Sequence, residues 1–439
     1  MPVALAVVAI TATVGATVAS GGGLRAHAAG AQPCADAPVS APRDPSNPLA
    51  LPTPPGPDPL HGAHFFVDGP KHGNAAQAIE QLVGDTTQYQ DTDTWAAFKQ
   101  KVAHFSGATA AKIKLLEKIG DQQETQNISL YSQGGGPGAI FSQVTKIICN
   151  NMLSDPTPDT VPVLSTFFAY PQGQFCPSDG ALDRWWSTFK RLVNEMASAI
   201  GSARAVILEE IDTIGTAGCV TGDDALNDWL RELDYESQTF SKLPHAVAYL
   251  EAGSSDEVPA GTAAKLLIKG GVTFIRGFFT NDTHFNWSSH EIQFGNAVSR
   301  AITAFLHSVT PVTSGSPALD SGARTAAGGY VAHFVVNTAQ NGQGPLLNPH
   351  PVTQGVENLC NPRGRGIGRQ PTGSTAPTFD GHTFPLLDGF LWTGVPGRSH
   401  NSDCHPGDAA AGVFDPRFAM ELAAHANQKL GPGYPSQPY

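Results

Sequence analysis

The stretch Ala205-Val-Ile-Leu-Glu-Glu-Ile-Asp212 runs four apolar residues straight into a segment carrying three carboxylates. An unbroken apolar run of this length reads as a strand covered on both faces. Carboxylates at its C-terminal end fall where α/β barrels carry their functional groups. Comparable runs occupy residues 64–68, 161–170, 246–251, 273–280, 331–338 and 386–393. Amphipathic patterns lie between them. Asp179 can cap a helix whose apolar stripe is Trp185, Phe189, Leu192, Met196 and Ile200, at spacings of three and four. A second helix is predicted from Asp224 through Leu226, Trp229, Leu230 and Leu233. Strand–helix alternation of this kind predicts an α/β fold whose parallel sheet is closed into a barrel or doubly wound. The Gly/Ser/Thr-rich stretches 314–329 and 364–378 read as long loops at the mouth of that sheet.

The chain has 439 residues, which suits one α/β barrel with long loops or two ordinary domains. Its 26 basic and 38 acidic residues give a net charge of −12, with no block of Lys or Arg. Nucleic acid and anionic membrane both need a concentrated basic surface, so neither is expected as a partner. A neutral glycan is compatible with this balance. Residues 1–28 read as an export signal, with a small apolar start and Ala26-His27-Ala28 ahead of the cleavage point. The charged start that such a signal carries is expected upstream of Met1. Residues 29–62 form a Pro-rich arm, and residues 63–439 the folded domain. Cys34, Cys149, Cys176, Cys219, Cys360 and Cys404 are even in number and dispersed, with no CxxC pair. That excludes a zinc-type cluster, and in an exported chain it predicts three disulfides. No cofactor or metal is expected, and the protein is expected to be a monomer.

Several predicted strands end in, or lead to, acidic residues: Asp68, Glu209, Glu210, Asp212 and Glu251, with Asp388 inside the last strand and Asp403 beyond it. Glycoside hydrolysis needs one carboxyl as acid and one as base, so this pattern suits it. For any single residue the competing reading is a helix cap.

Six blocks in order carry a family resemblance. Val206-Ile-Leu-Glu-Glu-Ile-Asp212 resembles V-x-x-x-E-P-D, and Tyr249-Leu-Glu-Ala-Gly253 resembles Y-L-D-A-G. Arg276-Gly-Phe-Phe-Thr-Asn281 resembles R-G-F-x-x-N, and His333-Phe-Val-Val-Asn-Thr-Ala-Gln-Asn-Gly342 resembles H-F-V-I-D-T-S-R-N-G. Cys360-Asn-Pro-Arg-Gly-Arg-Gly-Ile-Gly368 and Asp388-Gly-Phe-Leu-Trp392 complete the series. Together they resemble glycoside hydrolase family 6, the cellulase family of inverting β-1,4-glucanases, from about Phe65 to Leu430. The resemblance implies a distorted parallel (β/α) barrel of about seven strands in a single domain, and a secreted enzyme acting on a β-linked glucan. It implies bridges Cys176–Cys219 and Cys360–Cys404, with Cys34 and Cys149 left to pair. It implies Asp212 as the general acid. The substrate-binding set it implies is Asp68, Tyr170, Glu210, Glu251, Asn281, Asn341, Asn361, Trp392 and Arg398.

Departures concentrate in the site. The family's second Asp, which holds the acid's proton, is replaced by Phe175 or Gln174. The base loop P-G-E-x-D-G reads Pro396-Gly-Arg-Ser-His-Asn-Ser-Asp403, so the base aligns with Asp403 or His400. The first should give an acid limb near about pH 4 and the second near about 6.5. The family's A-G-H-x-G-W reads Ala252-Gly-Ser-Ser-Asp-Glu257, which removes a His and a Trp. Fewer aromatic platforms weaken the grip on a flat glucan, so crystalline cellulose is not expected as substrate. Two function classes therefore stay open: an inverting glycosidase, and an inactive glycan-binding relative.

Overall fold

Six of the seven predicted runs enter one seven-stranded sheet in which every neighbouring pair is parallel. The structure is a computed structural model and describes residues 58–71, 73–84, 94–129, 136–154, 160–171, 176–308, 330–345, 361–373, 384–400 and 405–431. In chain order these hold β1 (His64–Phe65), α1 (Asn74–Val83), α2 (Trp95–Val102), α3 (Gly107–Gly120), β2 (Gln126–Ile128), α4 (Ala139–Ser154), β3 (Thr160–Val161) and β4 (Val163–Thr166). Then come α5 (Asp179–Ile200), β5 (Ala205–Glu209), α6 (Thr213–Thr216), α7 (Asp223–Phe240), β6 (Ala246–Glu251) and α8 (Ala260–Lys269). The chain continues with β7 (Gly277–Thr280), α9 (Ser288–Ser308), β8 (His333–Asn337), β9 (Leu387–Leu391) and α10 (Pro416–Ala424). The sheet order is β2-β4-β5-β6-β7-β8-β9.

The run 64–68 is the exception. Only His64 and Phe65 form a strand, and they pair with β3 outside the main sheet. The edge beside β4 is taken instead by Gln126-Asn-Ile128, too short and polar to show a hydrophobic pattern. Pro162, which has no N–H to give a ladder, separates β3 from β4 within the run 161–170. Residues 272–274 form a single 3₁₀ turn, so that strand begins only at Gly277.

Both faces of the sheet are apolar, which is why its strands do not alternate. The outer face sets Leu164, Ile207, Phe278 and Phe334 against helix residues such as Phe189, Leu192, Met196 and Trp229. The inner face holds Val163, Val206, Leu208, Val247, Phe279, Val335 and Leu391, closed over by Leu60. Each such side chain, fully buried, contributes about 1.5–3 kcal/mol.

Polar contacts show how far the sheet curls. The Tyr249 hydroxyl on β6 donates to Asp388 Oδ2 on β9 at 2.8 Å, across two intervening strands. Past the end of β9, the Trp392 backbone bonds to the Gln123 and Thr125 side chains just ahead of β2, so the two sheet edges approach one another. Asp388 also receives Arg276 at 2.6 and 2.9 Å and His333 Nδ1 at 2.8 Å. Burial alone would raise this carboxyl, but the Arg276 and His333 hydrogen bonds hold it below the ordinary range. Arg276, His333 and Asp388 sit at or near the N-terminal ends of their strands. The opposite, C-terminal end is thereby left for chemistry.

Cys176 and Cys219 are bonded, tying the loop after β4 to the turn ahead of α7. Cys149 is also disulfide-bonded. Cys34, Cys360 and Cys404 lie outside the described residues, and the expected pairings 34–149 and 360–404 with them. No helix among the described residues is long and apolar enough to cross a membrane.

Candidate active site

Within four residues the end of β5 sends its carboxylates three ways. Glu209 points toward the helix layer and accepts from Ser237 Oγ at 2.5 Å. Glu210, fully buried, accepts from the backbone N–H of Phe168 at 2.8 and 2.9 Å and of Ala169 at 2.9 Å. It therefore fixes the loop after β4 and does not face the mouth. Asp212 comes next, and both Glu210 and Asp212 have left-handed backbones, with φ of 52° and 63°. Such conformations are costly outside glycine and persist where the surroundings impose them, often at functional sites. The other non-glycine residues in this region among those described, Cys176, Asn281 and Asn361, also lie in loops around the mouth.

Asp212 occupies the N-cap position of α6, yet its side chain makes no capping bond. Glu251 does that work from the end of β6. Its Oε2 accepts from the N–H of Ile214 at 2.6 Å and Gly215 at 3.1 Å. The helix-cap reading of Asp212 thus fails for a specific reason: another carboxylate already satisfies those donors. The Asp212 carboxyl is left with one described side-chain partner, Thr283 Oγ1 at 3.3 Å. Burial pushes it above the ordinary range, while His284 and Thr283 pull against that.

The loop from β7 to α9, Asn281-Asp-Thr-His-Phe-Asn286, is the hub of the site. Asn281 bonds to Asn286 and Asn337 and stabilises the loop itself. Asp282 Oδ1 accepts from Thr393 Oγ1 at 2.8 Å, while its buried Oδ2 has no hydrogen-bond partner among the described residues. Burial first, then the Asp212 charge, raise this carboxyl to about 8. His284 Nδ1 lies 2.8 Å from Asp256 Oδ1, and its Nε2 lies 3.8 Å from Glu257 Oε2. Burial lowers His284, but the Asp256 hydrogen bond and the charges of Asp256, Glu257 and Glu291 hold it up at about 9. Glu257, raised to about 7 mainly by burial, lies against Gly215, where any side chain would collide with its carboxylate. From the sequence alone, Asp256, Glu257, Asp282 and His284 have no assigned site role. The available signal was local: two acids just past β6, and a hydrogen-bonding run past β7.

The remaining expected residues divide. Arg398 stands where its charge acts on both Glu124 and Asp282. Glu124 in turn feels Asp68, whose Oδ2 accepts from Gln126 Nε2 at 2.8 Å. His400 is fixed through its N–H to Asn361 Oδ1 at 2.9 Å, with Nε2 3.3–3.4 Å from the Gln340 amide. Its ring stacks on Phe285 at 5.9 Å. Burial, then His284, lower it to about 4, which replaces the expected acid limb near 6.5 for a histidine base. Asn341 and Asn361 are buried ties between loops. Trp392 is fully buried, its indole N–H given to Arg369 O, so it has no face for a sugar. Tyr170 is buried as well and stacks on Phe167. Asp403 lies outside the described residues. No group of three or more His, Cys, Asp or Glu among the described residues is arranged to hold a metal ion.

Comparisons with known proteins bear on the family and the fold. The model for glycosyl hydrolases family 6 matches residues 172–426. Endoglucanase 1 of Streptomyces halstedii is 26% identical over 237 residues, covering 54% of this chain and 60% of the relative. Endoglucanase A of Thermobispora bispora is 25% identical over 242 residues, covering 55% and 43%. The chain thus spans about half the length of these curated relatives. Endoglucanase Cel6 of Mycobacterium tuberculosis, solved with methyl-cellobiosyl-4-deoxy-4-thio-β-D-cellobioside, superposes with a TM-score of 0.59 at 22% identity, covering 84% of this chain and 99% of that one. A likeness at that identity shows the fold. With the family model spanning more than half of the 439 residues, and a curled seven-stranded parallel sheet beneath it, the chain belongs to glycosyl hydrolases family 6.

Proposed function

We propose that this protein is a secreted glycoside hydrolase that cleaves a β-linked glucan, resembling β-1,4-glucanases, with inversion and with Asp212 as the general acid. The observation that carries this reading is the release of Asp212 from helix capping by Glu251. It leaves a carboxyl with a raised pKa at a strand end, free to give its proton. In the reaction, the Asp212 proton passes to the glycosidic oxygen, which leaves with the electrons of the broken C–O bond. Water attacks the anomeric carbon from the opposite face and gives a proton to the base, with the two carboxyls about 6.5–9.5 Å apart to admit it. Asp403 is the favoured base and His400 the second choice. Export is supported by the apolar start ahead of Ala26-His27-Ala28 and by the Cys176–Cys219 bridge. The binding-only alternative needs sugar platforms, and Trp392 and Tyr170, two aromatic candidates, are buried.

Product analysis by NMR over a panel of β-glucans tests the reading. Fresh product should appear first as the α-anomer, and no product from any glucan would sink it. Because a His400 limb now falls near that of a carboxylate, pH profiles do not separate the two bases. Asp403→Ala assayed with and without azide does. Rescue by the anion supports Asp403, and undiminished activity in that mutant, with loss in His400→Ala, transfers the role.

A further inference from the structure

We propose that the Asp256–His284 pair is a positioning element for Asp212, holding a fixed cation beside the carboxylate that Asp212 becomes once its proton has left. The inference rests on the reading of Asp212 as the acid.

Three contacts make the arrangement specific. Asp256 Oδ1 takes His284 Nδ1 at 2.8 Å and is itself held by Asn286 Nδ2, so the ring cannot swing away. Thr283, one residue earlier, donates to Asp212 Oδ1 and brings the two loops together. The other ring nitrogen turns toward Glu257, which lies over Gly215, three residues past Asp212. His284 is buried, so its charge is little screened by water.

The charged neighbours are Asp256 and Glu257 from the β6 loop, Glu291 from α9, Asp212 from the β5 loop and Asp282 from its own loop. His400 faces it from the β9 loop and is kept neutral by its lowered pKa. His284 is thus the cation among five acids, and it stays charged up to about pH 9. Proton donation converts Asp212 from neutral to anionic, so a fixed positive charge favours the state after transfer over the state before it. The sequence departs from the family at these places, where Asp256 and Glu257 stand in the segment that lost its usual His and Trp.

The test is the titration of Asp212, followed by carboxyl carbon NMR and identified with Asp212→Asn. Wild type is compared with His284→Gln and Asp256→Asn, each checked for near-ultraviolet dichroism. His284→Gln should move the Asp212 midpoint upward by about one pH unit or more, while Asp256→Asn, which also removes a negative charge and leaves Glu257 and Glu291 beside the imidazolium, should move it less. His284→Gln should lower kcat for unactivated glucans by about tenfold at little change in KM, and spare aryl glycosides whose leaving group needs no proton. A folded His284→Gln variant with an unmoved Asp212 midpoint overturns the proposal. Equal losses on activated and unactivated substrates would do so too. If wild type hydrolyses nothing, the functional reading fails, while the NMR midpoint still decides whether the pair governs Asp212.

Discussion

Carboxylates leaving the end of β5 join two groups that meet opposite surroundings. At the mouth, Asp212, Asp256, Glu257 and Asp282 surround a charged histidine and are held by donors from several loops. Behind the sheet, Glu209 and Glu210 face Glu232 and Glu236 of α7, and among the described residues no Lys, Arg or His forms an ion pair with any of the four. Glu232 and Glu236 are fully buried, and neither oxygen of Glu232 has a hydrogen-bond partner among the described residues. Burial raises all four, Glu209 to about 8 and Glu210 to about 7. The lesson is that raised carboxyl pKa values do not by themselves mark a site. What separates the mouth is a fixed counter-charge and a carboxyl released from structural duty. The four glutamates behind the sheet make no ion pair among the described residues, so burial favours their protonated form.

The sharpest break between the two regions is kinetic. Asp212→Asn should lower turnover of unactivated glucans by about 10²–10⁴-fold with an unchanged unfolding midpoint. Near-wild-type turnover would place the mouth acids in the same class as the buried ones.

A third carboxylate extends the comparison. Asp388 is as buried as the α7 glutamates but is paired with Arg276, 2.6 Å away. Arg276→Ala removes the guanidinium and leaves Asp388 only its Tyr249 and His333 hydrogen bonds, which should cost about 3–5 kcal/mol by urea unfolding. A cost under about 1 kcal/mol would show that Asp388 simply takes up a proton, as the glutamates do.

The buried glutamates also predict a pH dependence. Their folded pKa values lie above the ordinary 4.5, so the fold keeps protons that the unfolded chain has already released. Their contribution to stability is fully present below about pH 4.5. It is then lost by about 1.4 kcal/mol per pH unit for each group, until pH passes about 7 for Glu210 and about 8 for Glu209. Stability should therefore fall between pH 5 and 7, and Glu232→Gln with Glu236→Gln should flatten the fall. A wild-type stability that rises over this range contradicts the assignment. The smallest effect belongs to Ser237→Ala, which removes the bond to Glu209 and should cost about 1 kcal/mol while pushing that carboxyl higher still. A lowered Glu209 midpoint would show that the serine does not stabilise its charged form.

Much of the fold was legible because inner strands of a parallel sheet are apolar on both faces. The runs at 205–210 and 246–251 became β5 and β6 almost residue for residue. The strand Gln126–Ile128 was not legible, since three mostly polar residues carry no periodic signal and gain their place only from β4. At the site, motif order singled out Asp212, whereas most of its companions came out differently. Trp392 and Asn361 match family positions yet are buried as scaffold, and His284 had no motif to announce it.

Local pattern and chain order were enough for the strand–helix order, the family likeness and the placing of a carboxylate, Asp212, just past β5. Which carboxylate caps α6, which ones are sealed behind the sheet and which one meets a cation became visible only in three dimensions. Those roles depend on where Glu251, Asp256 and His284 arrive from strands far apart in sequence, and hydrogen bonding and local dielectric are set by that meeting.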